Sequence, residues 1–579
     1  MSTTGTRVDP ITLTVVWDGL RGLCADIGLA LQRTAYSEIV REAGDCSAAV
    51  FDRTGRMIAQ GVYSPGHLGP MATIVQSMLE VIPVDSLERG DAMITNDIYI
   101  GAGQLPDAFT VSPVFSGDEL VGFVGTSVHL MDVGGASPGS QAVVGIYDNY
   151  QEGLRIPPLR HFRRGEPMQE VIELIAYNVR FPDKVMGDLR AMLNANNFGA
   201  RRVIELFEKY GTETMETVYE QILDASEART REAIAAVPDG VYSYELDLDD
   251  YGPGTPPIHL AVDITIDGSD VTIDWSRSDD QVPAGMNSAR TYSFAYSFFT
   301  LKCLLSPEVP QNEGCTRPFN FVAREGSFMN PRPPAPGGGR AITIHRHFET
   351  VLGAMSKVLP ERTQGASSQW CNTVVGGDGP NGKPYLLWDI LLGGFAGRSN
   401  KDGAEALCSV LNSRNIPVEA TELGAPVRIE RLEFVPDTGG AGTHRGACAI
   451  RKDVKLLGSN NRATPITDRH FFPPHGVLGG KEGTCGAIIR DPGGANEPLH
   501  SKGVHLVGQG EVIRFQVSGA GGYGPPHERD PESVRHDVME GYVTRERALK
   551  DYGVALTDSL EVDGAATAEA RERRKAAAC

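Results

Sequence analysis

Residues 104–135 hold the densest collection of side chains able to do chemistry. Gln104-Leu-Pro-Asp107 is followed by His129-Leu-Met-Asp132-Val-Gly-Gly135. Amide, carboxylate and imidazole groups set beside glycine-rich turns are donors for a divalent cation. The apolar run from Leu120 to Val128 between the two motifs reads as a buried strand, and a hairpin returning over it brings Asp107 next to His129. A histidine at a strand end also serves as an ordinary hydrogen-bonded residue, so spacing alone leaves two readings open, metal ligation and a polar cluster that shapes a pocket.

Other motifs are weaker. Gly377-Asp-Gly-Pro-Asn-Gly-Lys383 has phosphate-loop spacing, but Pro384 stands where a magnesium-holding hydroxyl belongs and no helix starts there, so it reads as a tight hairpin turn. Glycine-rich runs at 101–103, 393–397 and 519–524 lack the strand and helix of a dinucleotide site. His345-Arg-His347 would place two imidazoles on one strand face, without a carboxylate or Cys nearby in sequence, and is read as structural. The serine of Gly139-Ser-Gln141 follows a proline in a loop and lacks the strand-to-helix turn that a nucleophilic serine needs. Cys46 adjoins Asp45, whose charge opposes thiolate formation, so nucleophilic catalysis by the chain is disfavoured.

The elements that must position these groups are legible from periodicity. Residues 10–36 read as an amphipathic helix through Val16, Leu20, Cys24, Ile27 and Leu31. Strands are expected near 47–60, 92–95, 109–115 and 120–128, and helix over 183–236. From Val237 alternation takes over, with a hairpin over 259–275 turning at Asp267-Gly-Ser-Asp270 and further strands near 384–392, 426–435, 447–457 and 511–517. The Asn330–Pro336 segment and Gly337–Gly339 read as a linker or a rigid ordered loop. Helices at 531–540 and 544–552 precede an Ala/Arg/Glu tail. The expected fold is multidomain α+β: a mixed α/β N-terminal domain (1–236) with the metal or active site, a strand-rich domain (237–420), a β-rich domain (421–530), and C-terminal helices with a tail (531–579).

With 579 residues the chain exceeds one core. Its 54 Lys and Arg against 74 Asp and Glu give a net charge of −20, which excludes nucleic acid as a partner. Nine cysteines, an odd number with no Cys-x-x-Cys pair, fit a reducing compartment. The N-terminus lacks the apolar core of an export signal and no long apolar run spans a membrane, so a cytoplasmic protein is expected.

Asp45-Cys-Ser-Ala-Ala-Val-Phe-Asp52, Pro65-Gly-His-Leu-Gly69, Asn96-Asp-Ile-Tyr-Ile-Gly101, Leu105-Pro-Asp107, Gly134-Gly-Ala-Ser-Pro-Gly139 and Tyr150-Gln-Glu-Gly-Leu-Arg-Ile-Pro-Pro158 occur in that order, with Asn312-Glu-Gly314, Pro436-Asp-Thr-Gly-Gly-Ala-Gly442 and Gly519-Ala-Gly-Gly-Tyr-Gly524 further on. Together they resemble the hydantoinase B family, which includes the B-type chains of ATP-dependent hydantoin and lactam hydrolases, the matching half of 5-oxoprolinase and alpha-type chains of ketone carboxylases. The resemblance implies a metal held at positions 45, 104, 107 and 129. Asp45, Asp107 and His129 match, and Gln104 replaces a histidine. A carboxamide oxygen is a harder donor than imidazole, so the implied ion shifts from Zn²⁺ towards Mn²⁺ or Mg²⁺, or is lost. Asp132, Glu152 and His67 are the candidate catalytic groups and Asn96 and Asp97 the candidate substrate contacts, each with a structural role as the alternative. The resemblance further implies a hydantoinase A-type partner that binds ATP and phosphorylates a small-molecule substrate, in a hetero-oligomer of A–B pairs. Three functions follow: water attack on a phosphorylated cyclic amide (preferred), ketone carboxylation, or a metal-less structural role in such a complex.

Overall fold

The computed structural model describes residues 8–411 and 413–578; the N-terminal stretch read as lacking an export signal lies largely outside them. It is a multidomain α+β structure in two compact units. Unit 1 comprises residues 1–245, 260–354 and 411–413; unit 2 comprises 246–259, 355–410 and 414–579. The 237–420 segment, expected as one domain, is divided between them.

Unit 1 is built on a seven-stranded sheet of β1 (Cys46–Asp52), β2 (Met57–Gln60), β3 (Ala92–Thr95), β4 (Asp107–Ser116), β5 (Glu119–His129), β6 (Leu159–Arg163) and β7 (Glu166–Pro167), in spatial order β2-β1-β5-β4-β3-β6-β7. Its helices are α1 (Pro10–Thr34), α2 (Glu38–Arg41), α3 (Pro65–Val81), α4 (Gln169–Asn178), α5 (Pro182–Tyr210) and α6 (Thr212–Ala235), followed by α7 (Arg290–Leu305) and α8 (Ile344–Met355). β1 is buried at every residue, which requires cover on both faces. Two adjacent residues of β5 show what covers them. Val124 packs with Ile27 of α1 at Gly199 of α5, whereas a Cβ at Gly125 would face Met71 of α3. Strand residues alternate sides, so His129, four residues from Gly125, belongs to the α3 side. α3 in turn lies against α7, where Gly69 admits Ala295: a Cβ there would stand 2.4 Å from that of Ala295.

A second sheet, β11-β10-β9-β8, contains β8 (Gly240–Asp250), β9 (Pro257–Asp267), β10 (Asp270–Asp274) and β11 (Phe319–Val322). The expected hairpin is present, with Asp267 opposite Asp270. His345 and His347, expected on a strand, lie in helix α8; the buried faces of Ile344, Val351 and Leu352 are helically spaced, a period too long to show in the few residues around two histidines.

Unit 2 carries two antiparallel sheets formed by β12 (Cys371–Asp378), β13 (Pro384–Leu391), β14 (Val427–Val435), β15 (Ala449–Leu456), β16 (Ser459–Ile466), β17 (Ala487–Arg490), β18 (Glu497–Leu499), β19 (His505–Val507) and β20 (Val512–Gln516). Their orders are β13-β12-β16-β19 and β14-β15-β20-β17-β18. The Gly377–Lys383 segment is the β12–β13 turn. Helix Pro531–Met539, a π-helical turn over Ala548–Tyr552 and helix Gly564–Ala578 close the chain. Among the described residues no helix is long and apolar enough to cross a membrane.

Candidate functional site

The ends of three neighbouring strands meet at one point of unit 1. In the β4–β5 ladder Asp107 stands opposite His129, and Cys46 pairs with Val128, so Asp45 enters β1 beside His129 and accepts the His129 N–H through its carbonyl at 3.2 Å. Side-chain parity turns Asp107 and His129 towards α3, whose first turn carries His67; its ring meets Phe109, also on that face, at 6.1 Å between centroids. His67 is therefore delivered by a helix that caps the sheet, and the other groups by the sheet itself.

The side chains are buried and tightly connected. His129 Nδ1 lies 2.9 Å from Asp107 Oδ1 and 3.0 Å from Gln104 Nε2, and its Nε2 lies 3.2 Å from Gln141 Nε2. His67 Nε2 is 3.6 Å from Asp107 Oδ1 and 3.7 Å from Asp45 Oδ1. The buried oxygens Asp45 Oδ1, Gln104 Oε1 and Gln141 Oε1 have no hydrogen-bond partner among the described residues. Burial alone would raise the Asp107 pKa; the hydrogen bond from His129 and the nearby His67 ring and Arg340 charge outweigh it and hold the carboxyl far below its usual range. Burial would lower the His67 pKa, yet the two carboxylates reverse this and raise it.

Arg340 was not foreseen from the sequence. It is buried, donates from Nη2 to Asp107 Oδ2 at 2.8 Å and from Nε to the Gly103 carbonyl at 2.5 Å, and its guanidinium carbon stacks 3.4 Å above the Tyr292 ring. Separated from Asp107 by 233 positions and embedded in a Pro/Gly-rich loop, it gave no local signal.

The remaining expected residues divide. Glu152 is buried; Gly338 N donates to its Oε1 at 2.5 Å and Asn149 Nδ2 to its Oε2 at 2.7 Å. Burial dominates these bonds and pushes its carboxyl up to about 7. Asp132 is fully buried with both oxygens engaged, Oδ1 by the N–H groups of Gly134 and Arg180, Oδ2 by Gly139 N and Arg180 Nη1. This is the pattern of a carboxylate that folds a glycine-rich turn, and it leaves no lone pair aimed at a substrate, against the expectation of a general base. Asn96 ties loops together, donating to the carbonyls of Leu105 and Leu154 and accepting from Ile156 N. Asp97 pairs with Arg155 at 2.7 Å on the wall of a cavity of about 550 Å³ also lined by Tyr150 and Asn178.

Among the described residues no three His, Cys, Asp or Glu side chains stand in the arrangement of a formed metal centre. The donor set nevertheless fits a cation chemically. The 3.6 and 3.7 Å separations from His67 exceed a hydrogen bond and approach the spacing of about 3.4 Å between donors sharing one ion at 2.1 Å in tetrahedral geometry. The unpartnered oxygens of Asp45 and Gln104 supply lone pairs beside them.

Known proteins share this sequence and fold. The Hydantoinase B/oxoprolinase family model matches residues 9–526. The B-type chain of a putative D-/L-hydantoinase from Pseudomonas sp. (strain NS671) is 33% identical, with 98% of each chain covered. The beta chain of caprolactamase from Pseudomonas jessenii is 29% identical over 97% of this chain and 98% of that protein. The crystal structure of the ATP-dependent caprolactamase from that organism superposes with a TM-score of 0.89 at 27% identity, covering 98% of this chain and 100% of that one. An acetone carboxylase structure shares the fold, with a TM-score of 0.89 at 19% identity over 98% of this chain and 83% of that one. The chain belongs to the hydantoinase B/oxoprolinase family.

Proposed function

We propose that the chain is the B-type component of an ATP-dependent cyclic amide hydrolase, in which an A-type partner phosphorylates the substrate and this chain directs water to the activated carbon. The observation that carries this reading is the convergence of Asp45, His67, Asp107 and His129 at the strand ends of unit 1. Full-length similarity to chains of a caprolactamase and a hydantoinase supports it. Asp45, Gln104, Asp107 and His129, joined by His67, would hold a divalent cation, Mn²⁺, Mg²⁺ or Zn²⁺. A cation held there would supply Lewis acidity.

The chain's own residues divide the other tasks. Asp107, kept ionised by Arg340 and the two imidazoles, fixes the electrostatics of the site. His129, braced by Gln141, fixes the orientation of Asp107. Glu152, with a carboxyl near 7, is poised to take a proton from water around neutral pH and return it to the leaving nitrogen.

The test is to purify the chain with its A-type partner and follow ATP use and ring opening with hydantoins, lactams and 5-oxoproline, and with ketones in the presence and absence of bicarbonate. ATP-dependent opening of a cyclic amide that needs both chains is the expected result. ATP turnover that demands a ketone and bicarbonate would replace this reading with carboxylation.

A further inference from the structure

Gly337–Arg340 form a strap that reaches the site from outside the strand ends. Tyr99 Oη donates to Ala335 O at 2.6 Å and Asn149 N to Pro334 O at 2.7 Å, so the segment before it is pinned to the loops of the first sheet. Within the strap Gly338 N meets Glu152 while Arg340, two residues on, grips Asp107. The fit at Gly103 is specific: a Cβ there would stand 1.6 Å from Arg340 Nη2.

Two nitrogens of the guanidinium are committed, Nε to Gly103 and Nη2 to Asp107. Nη1 donates to no described residue, on a side chain only 3% exposed. The stack on Tyr292 prevents the guanidinium plane from swinging away. Guanidinium is the side chain whose remaining fork nitrogen suits a phosphoryl or carboxylate-like oxygen.

We propose that Arg340 holds Asp107 in place and presents Nη1 to an anionic oxygen of the substrate. This rests on the reading that the substrate arrives as a phosphorylated cyclic amide, whose phosphoryl or tetrahedral oxygen is the group received.

Two measurements on the complex with its partner test it. With the partner's nucleotide site saturated by a non-hydrolysable ATP analogue, inorganic phosphate titrated by calorimetry binds the wild type and binds Arg340→Ala and Gly103→Ala at least tenfold more weakly. In ring opening, Arg340→Ala lowers kcat by about 10²–10³-fold, and added guanidinium ion restores part of it, which a merely structural loss would not allow. Arg340→Lys keeps the charge without the fork and stays at least tenfold below wild type. Phosphate binding unchanged by Arg340→Lys and Gly103→Ala, or kcat within threefold of wild type in Arg340→Lys, overturns the proposal, including if Arg340→Ala does not fold. A wild-type complex inert towards every cyclic amide but with Arg340-dependent phosphate binding would refute the hydrolase reading alone; an active complex indifferent to Arg340 would refute this inference alone.

Discussion

Asp107 is the residue through which the site is organised: two imidazoles, a guanidinium and a backbone N–H all converge on its two oxygens. We propose that His67 takes the place of the imidazole that the family resemblance implies at position 104, because it stands beside both carboxylates. His67→Ala is therefore expected to lower the divalent metal retained by the purified complex at least tenfold, read by elemental analysis, while Gln104→His raises the share of zinc. Glu152 gives a pH prediction of definite sign. Its folded pKa of about 7 lies above the ordinary 4.5, so the proton it holds stabilises the fold fully below pH 4.5, and that stability is lost as pH rises through 7. The melting temperature of wild type relative to Glu152→Gln should fall across that window, and the acid limb of kcat near 7 should vanish in Glu152→Gln. The Asp107–His129 contact was readable from the hairpin pattern. Arg340 was not, since nothing near it in sequence distinguishes a buried stacked arginine from a loop cation.

At the scale of elements, strand parity does most of the positioning. β1, β4 and β5 end at one level, and alternation sends Asp107 and His129 to the α3 side while Val124 faces α1 and α5. The long regular elements, α1, α5, α6 and the hairpins, were legible because their apolar periods run for several turns or alternations. α3 was not. Pro65, Gly66, Gly69 and Pro70 crowd its first two turns, and the same glycines that weaken helix propensity are what allow the close approach to α7. The turn after β5 is organised by Asp132. Asp132→Ala strands four donors and is expected to cost about 2–4 kcal/mol of stability, seen as a lowered melting temperature, with kcat per folded molecule within a few-fold of wild type. A loss of kcat in a fully stable Asp132→Ala would restore it to the catalytic group.

For the whole molecule, the division into two units cuts across the sequential domains suggested by composition. Unit 2 borrows residues 246–259 from the middle of the chain, and such an excursion leaves no trace in local periodicity. Unit 1 contains every residue of the candidate site. The chain is expected to purify as a heteromer with an A-type partner, and size-exclusion chromatography of the co-expressed pair should give one species larger than 62.3 kDa. The most direct test of the account is Asp107→Asn in that complex. The variant should still support ATP consumption by the partner while opening the cyclic amide at least about 100-fold more slowly than wild type, a loss on the scale of a removed transition-state contact; ring opening at the wild-type rate would contradict the assignment of the chemistry to this cluster.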